Sequence, residues 1–236
     1  MIDMHHHLLY GIDDGPDDFD TAAQMALRAC ENGVHTLIAT PHVYPGVHPF
    51  RQEAYQQGLI RLKQFCAEKK LPLAILGGAE IRHTEAAVRL LSEGSIPTMN
   101  GTHFVLVEWS TRADEHTITR AIREYSNAGY SVIIAHIERY KSLWLKRKTV
   151  ESLKRSFDVR VQVDCEALLE KGSYWMKRFA LGLLEDDLVD YVASDAHDLL
   201  HRPVCMAQCR EWLSERYGEE AAHQLTGVNQ EELCVF

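Results

Sequence analysis

Short β-branched runs alternate with longer helical stretches along the whole chain, and no other feature restricts the fold as much. Strands are expected at residues 1–4, 35–40, 73–76, 103–109, 131–135, 160–164 and 190–193. Between and after them, apolar residues recur at helical spacing over residues 20–32, 52–69, 84–92, 117–127, 149–156, 174–184 and 204–217. The first of these puts Ala23, Ala26, Leu27 and Cys30 on one face, opens on Asp20 and Thr21, and stops before Gly33. A strand followed by a helix, seven times over, predicts parallel strands joined by crossover helices. An open doubly wound sheet and a closed barrel both satisfy that order. No Gly-rich fingerprint follows the first strand, which weakens the dinucleotide-binding form of the open sheet. No linker or Pro/Gly-rich seam divides the chain, and 236 residues is an ordinary length for one barrel. The expectation is a single α/β domain over residues 1–236, a TIM-like barrel of seven parallel strands with surrounding helices.

Nearly every expected strand ends in a residue able to bind a metal ion. The first leads into Asp3, His5 and His7, the second into Pro41-His42, and the third into Gly77-Gly78-Ala79-Glu80. The fourth carries Glu108, the fifth reaches His136 with Glu138 and Arg139 beyond it, the sixth ends at Asp164, and the seventh leads into Ser194-Asp195-Ala196-His197. In parallel α/β barrels the C-terminal strand ends form one rim, and active sites are built there. Taken singly, a rim carboxylate is usually a solvated loop residue. Glu108, however, follows the apolar run Phe104-Val105-Leu106-Val107, and a buried carboxylate needs a partner that a cation can supply. His136, Asp195 and His197 repeat that placement. Side chains alternate along a strand, so His5 and His7 share a side while His6 points away. Mixed imidazole and carboxylate, with no thiolate, suits Zn, Mn or Fe rather than Ca or a soft ion. Carboxylates that bridge two ions suit phosphoester hydrolysis.

Composition closes off other classes. The net charge is −9, and no basic stripe exists to track a nucleic-acid backbone. No apolar stretch is long enough to span a bilayer, and the His cluster begins at residue 5, leaving no room for a signal peptide. A cytoplasmic protein without membrane insertion is expected. The six cysteines form no CxxC pair, and none is followed by Arg at the spacing that thiolate phosphatases use. Any phosphatase chemistry must come from metal.

Amidohydrolase barrels also open on an HxH pair, but they place a carboxylated lysine where Glu108 stands. The order Asp3-x-His5-x-His7, Pro41-His42, Gly78-Ala79-Glu80, Ala135-His136 and Ser194-Asp195-Ala196-His197 instead resembles the polymerase-and-histidinol-phosphatase (PHP) superfamily over essentially the whole chain. Asp13-Asp14-Gly15-Pro16, Ala135-His136-Ile137-Glu138-Arg139-Tyr140 and residues 194–203 are most similar to its capsule- and exopolysaccharide-associated bacterial tyrosine-protein phosphatases. That resemblance implies a distorted seven-stranded barrel with three divalent ions, often manganese, with iron or zinc as alternatives. It implies one ion at His5, His7, Glu80 and Asp195, a second at Glu80, Glu108 and His136, and a third at Asp14, His42 and His197. Arg139 and Arg202 match the arginines that hold the substrate phosphate, which metal-activated hydroxide attacks. The implied partner is the phosphotyrosine tail of a bacterial tyrosine kinase. The rival activity is small-molecule phosphatase chemistry such as hydrolysis of histidinol phosphate. Asp164, Cys165 and Glu166 depart from the branch pattern and add acid to the rim, and the loop over residues 43–50 brings His48 and aromatic residues where substrate side chains could be read.

Overall fold

The computed structural model describes residues 1–169 and 173–235. In chain order it runs β1 (Ile2–His6), α1 (Phe19–Glu31), β2 (Thr36–Ala39), β3 (His42–Val43), α2 (Gln52–Glu68), β4 (Ala74–Gly77), β5 (Glu80–Arg82), α3 (Ala87–Ser92) and β6 (Phe104–Glu108). It continues through α4 (Glu115–Asn127), β7 (Ser131–Ile134), α5 (Arg147–Ser156), β8 (Val159–Asp164), α6 (Cys165–Leu168), α7 (Tyr174–Glu185), β9 (Tyr191–Ala193), α8 (Met206–Tyr217) and α9 (Glu219–Leu225). Local chemistry sets several starts. The side chains of Asp18, Asp114 and Ser173 accept from the first-turn amides of Thr21, Thr117 and Met176, capping α1, α4 and α7.

The strands pair in parallel in two sheets, ordered β1-β2-β4 and β3-β5-β6-β7-β8-β9, and an isolated bridge between His6 and Ala196 links β1 to the segment after β9. An α/β fold on a curled parallel sheet is therefore observed. Seven uninterrupted strands are not: nine are described, because two of the expected strands break. The second breaks at Thr40-Pro41, where proline lacks the N–H that would continue the ladder. The third breaks at Gly78-Ala79, beneath the side chains of Met99, Ile38 and Thr40. The pieces beyond each break are β3 and β5, and they pair with each other, His42 against Glu80.

Helices cover the outer face of the sheets, where Leu37, Val105, Val107, Ile134, Val161 and Val192 join the large core. Met4, Ile38, Leu106, Ile133, Tyr191 and Ala193 form a second, smaller cluster on the inner face. Burial on both faces explains why these strands read as nearly continuous apolar runs. Among the described residues no helix is long and apolar enough to cross a membrane.

Candidate metal centre

The rim above the inner cluster gathers its polar groups from separate strand ends. An irregularity in the pairing of β1 between Asp3 and His6 re-aims the strand. Met4 stays in the inner cluster, while the rings of His5 and His7 meet at the rim. His6 turns toward α1, fully buried, and lines a cavity with Met25 and Arg28. Past β7 and β9 the backbone is left-handed at His136 (φ 32°) and Asp195 (φ 51°). Such positions cost a non-glycine residue about 1–3 kcal/mol, and they turn the chain out of the sheet where its side chains are needed.

Three groups of donors result. His5 Nε2 and His7 Nε2 lie 3.3 Å apart, and each lies 3.3 Å from Glu80 Oε2 and from Asp195 Oδ1. Ligands at roughly 2.0–2.2 Å around one tetrahedral ion stand about 3.3–3.6 Å from one another, so this set has the spacing of a coordination shell. His7, Asp14, His42 and His197 form a second group, with Asp14 Oδ1 3.5 Å from His42 Nε2 and 3.4 Å from His197 Nε2. His42, Glu80 and Glu108 form a third, with His42 Nδ1 2.9 Å from Glu80 Oε2 and 3.5 Å from Glu108 Oε1. His136 meets the other oxygen of Glu80 at 2.7 Å, while the imidazole grouped with Glu108 is His42. Asp195 Oδ1 and His197 Nε2 are buried without a hydrogen bond, as atoms reserved for a cation would be.

A layer behind the donors fixes their orientation. Asp13 accepts from His7 Nδ1 at 2.6 Å, from the His42 amide at 2.9 Å and from the Gly15 amide at 3.0 Å. The Nε2 of His7 is thereby left to face the cluster. Gln162 Oε1 lies 3.2 Å from His5 Nδ1 and accepts from the His136 amide at 2.7 Å. His197 Nδ1 is held by the Asp195 carbonyl at 2.9 Å, and Arg82 donates to Glu108 at 2.9 Å. Asp3, at the start of the expected metal motif, stands outside the three groups. It accepts from the amide and hydroxyl of Ser194 and braces β1 against β9. Burial pushes its carboxyl up to about 6, despite those bonds from Ser194.

Charge within the rim is tightly paired. Burial disfavours a charged ring at His5, but Asp195 and Glu80 outweigh it and push the ring up to about 9. His7 is also raised, burial again being overcome by bonds to Asp13, Asp195 and Glu80. Glu80 and Asp195 are buried, yet the surrounding histidines hold both below the ordinary carboxylate range. His197 is pushed down to about 4, by burial first and then by His7. Arg139 ends in a 2.5 Å ion pair with Asp164 and another with Asp195 Oδ2, and Arg202 meets the same Asp195 oxygen at 2.6 Å. Asp164 is thus the counter-ion of Arg139 rather than a free acid on the rim.

Asp13 and Gln162 were not singled out as functional residues by the sequence. Both left a signal. Asp13-x-Gly15 has the spacing of an Asx turn, and Gln162 interrupts an apolar strand between Val161 and Val163.

The family described as "Capsular polysaccharide synthesis, CpsB/CapC" matches residues 1–234. The chain belongs to the CpsB/CapC family. Tyrosine-protein phosphatase CpsB of Streptococcus pneumoniae is 30% identical over 95% of this chain and 94% of its own length. Tyrosine-protein phosphatase YwqE of Bacillus subtilis is 28% identical over 96% of this chain and 89% of its own. A solved structure from work on YwqE and CpsB, described there as unique metal-dependent tyrosine phosphatases, superposes with a TM-score of 0.88 at 28% identity, covering 99% of this chain and 94% of that one. The motif resemblance to the tyrosine phosphatase branch thus holds along the length of a CpsB/CapC chain.

Proposed function

We infer that the chain is a metal-dependent protein-tyrosine phosphatase, a phosphoric monoester hydrolase of capsule or exopolysaccharide synthesis. The observation that carries this reading is the set His5, His7, Glu80 and Asp195, whose donor atoms stand 3.3 Å apart along five edges. Three divalent ions, with manganese first and iron or zinc next, would be held by His5, His7, Asp14, His42, Glu80, Glu108, His136, Asp195 and His197. Histidines and carboxylates without thiolate suit that choice, and all but Asp14 and His42 are buried. When bound, such ions offset phosphate charge and make a hydroxide nucleophile available at neutral pH.

The chain supplies the rest. Arg139 and Arg202 converge on one oxygen of Asp195, so both guanidinium groups border the cluster, each about one-third exposed. A phosphate there would be gripped through its non-bridging oxygens, and the grip strengthens as negative charge spreads in the transition state. Asp164 keeps Arg139 aimed inward. Tyrosine, with a pKa of about 10, leaves readily without a dedicated acid. In this reading residues 1–236 act as one cytoplasmic catalytic domain on the phosphotyrosine tail of a bacterial tyrosine kinase. The two sheets then work as one distorted barrel of seven staves, a view supported by the His6–Ala196 bridge and by the bond from the Glu80 amide to Pro41.

The test is metal analysis of the purified protein combined with hydrolysis of a phosphotyrosine peptide and of histidinol phosphate, with and without chelator. Peptide turnover that chelator abolishes and Mn²⁺ restores is expected. Turnover that survives complete metal removal, or a preference for histidinol phosphate, overturns the reading.

A further inference from the structure

We propose that Tyr44, on the loop between β3 and α2, forms the wall against which the aryl group of the substrate rests, and so selects aromatic over alkyl phosphate esters. The inference rests on the phosphatase reading and adds a specificity residue to it.

The rim has two unlike sides. On one, Arg139 and Arg202 meet Asp195 and offer charge to a phosphate. On the other, β3 ends and the chain turns outward through Tyr44. The Tyr44 ring lies with its centroid 5.8 Å from that of His42 and 6.3 Å, edge-on, from that of His48. His42 belongs to two of the three donor groups, so Tyr44 stands one ring away from the cluster.

Among the described residues the Tyr44 hydroxyl makes no hydrogen bond, and the residue is 38% exposed, with Val43 and Pro45 buried on either side of it. It lines a cavity of about 310 Å³ with Asp13, His42, His48 and Phe50. That cavity shares Val43, His48, Pro49 and Phe50 with a second one of about 540 Å³, which runs on to Arg89 and Ile96. A groove with an aromatic mouth therefore opens beside Asp13 and His42 at the edge of the metal centre. A phosphate held between the ions and the arginines would direct its ester substituent into that mouth. An aromatic substituent gains from offset or edge contact with Tyr44, and a short alkyl chain does not.

The experiment uses the full chain loaded with Mn²⁺ and two non-hydrolysable probes, phenylphosphonate and methylphosphonate. Binding is followed by calorimetry for wild type, Tyr44→Ala and Tyr44→Phe, together with KM and kcat for phenyl phosphate and for glycerol 2-phosphate. Tyr44→Ala should weaken phenylphosphonate by about 3- to 10-fold, the range expected of one aromatic contact, and leave methylphosphonate unchanged. KM for phenyl phosphate should rise by a similar factor, KM for glycerol 2-phosphate should hold, and Tyr44→Phe should restore both aromatic values. Equal weakening of the two phosphonates, no weakening of either, or failure of Tyr44→Phe to rescue overturns the proposal. Thermal melting and metal content of each variant show whether a change is merely structural. Wild type that binds phenylphosphonate through Tyr44 yet hydrolyses no phosphotyrosine peptide leaves the aryl wall standing and removes the phosphatase reading instead.

Discussion

Asp13 joins no donor group, yet it holds three partners in place: His7 Nδ1 at 2.6 Å and the amides of His42 and Gly15. Burial would raise its carboxyl, but the His7 bond and the backbone amides hold it down at about 2, so it stays ionised at any working pH. A carboxylate behind a ligating imidazole typically accounts for about 10- to 100-fold in metal affinity. Asp13→Ala should therefore weaken the tightest Mn²⁺ site by that factor, read by metal titration, and saturating metal should recover much of kcat. Unchanged affinity would show that His7 needs no such guide. A second consequence concerns protons. His5 is pushed up to about 9, so at pH 7 its ring is charged in the metal-free protein, and the bonds to Asp13, Asp195 and Glu80 shift His7 in the same direction. A cation must displace those protons, and its apparent affinity falls up to tenfold per pH unit for each proton released. Calorimetry in buffers of different ionisation enthalpy should show net proton release on metal binding at pH 7, with affinity improving as pH rises toward 9. In the metal-free protein the sign reverses. Raised histidines contribute stability that is complete below about 6.5 and lost as pH climbs through their folded values, so the melting temperature without metal should fall over the same window. A rise there would remove the paired-imidazole picture.

Among the elements, the short segments that carry donors are held more tightly than their length suggests. The turn Asp13-Asp14-Gly15 lies against β1 so closely that a Cβ on Gly15 would sit 2.6 Å from the His7 carbonyl oxygen and 3.0 Å from Asp13 Oδ1. The nearer atom is backbone and cannot rotate away. Gly15→Ala should push the turn outward, costing about 1–3 kcal/mol by denaturant unfolding, and weaken metal binding at Asp14 by displacing Asp13. A variant with wild-type stability and metal content would show that the turn is loose. This level also marks the reach of the sequence. The seven strand runs, the longer helices and the histidines and carboxylates that close strands were legible, because burial imposes apolar runs and a polar residue closing such a run stands out; the short α6 and α9 were not expected. The breaks that turn two strands into four were not, since they depend on how Pro41 and Gly78 meet chain far away. Register irregularity in β1, the brace from Asp3 to Ser194 and the partnership of Asp164 with Arg139 were hidden for the same reason. Each joins residues that no local pattern connects, and Asp164, taken alone, looked like excess acid.

Across the whole molecule the donor groups act as a clasp. They come from β1, the turn after it, β3, β5, β6 and the end of β9, so ions bound there would tie the start of the chain to residues near 200. The two ends of that strand series also meet through protein contacts: the His6–Ala196 bridge, the bonds from the Asp195 amide to the His5 carbonyl and from the His7 amide to the Ala196 carbonyl, and the brace from Ser194 to Asp3. Without cations the rim must hold Glu80, Asp195 and Glu108 together on charged histidines and arginines alone. A cation that binds the folded rim and not the unfolded chain would stabilise it by about 2.7 kcal/mol for a single site at one hundred times its dissociation constant. For a domain of this size each kcal/mol raises the melting temperature by about 2–4 °C, which predicts a gain of roughly 5–10 °C from one site and more as further sites fill. Melting curves taken across a Mn²⁺ series should rise with concentration and level off in steps. Asp13→Ala should move the first step to higher Mn²⁺ without lowering the final plateau far. A melting temperature indifferent to Mn²⁺ and to chelator would mean that the clasp is closed by protein contacts alone, and the 3.3 Å spacing around His5 and His7 would then need another explanation.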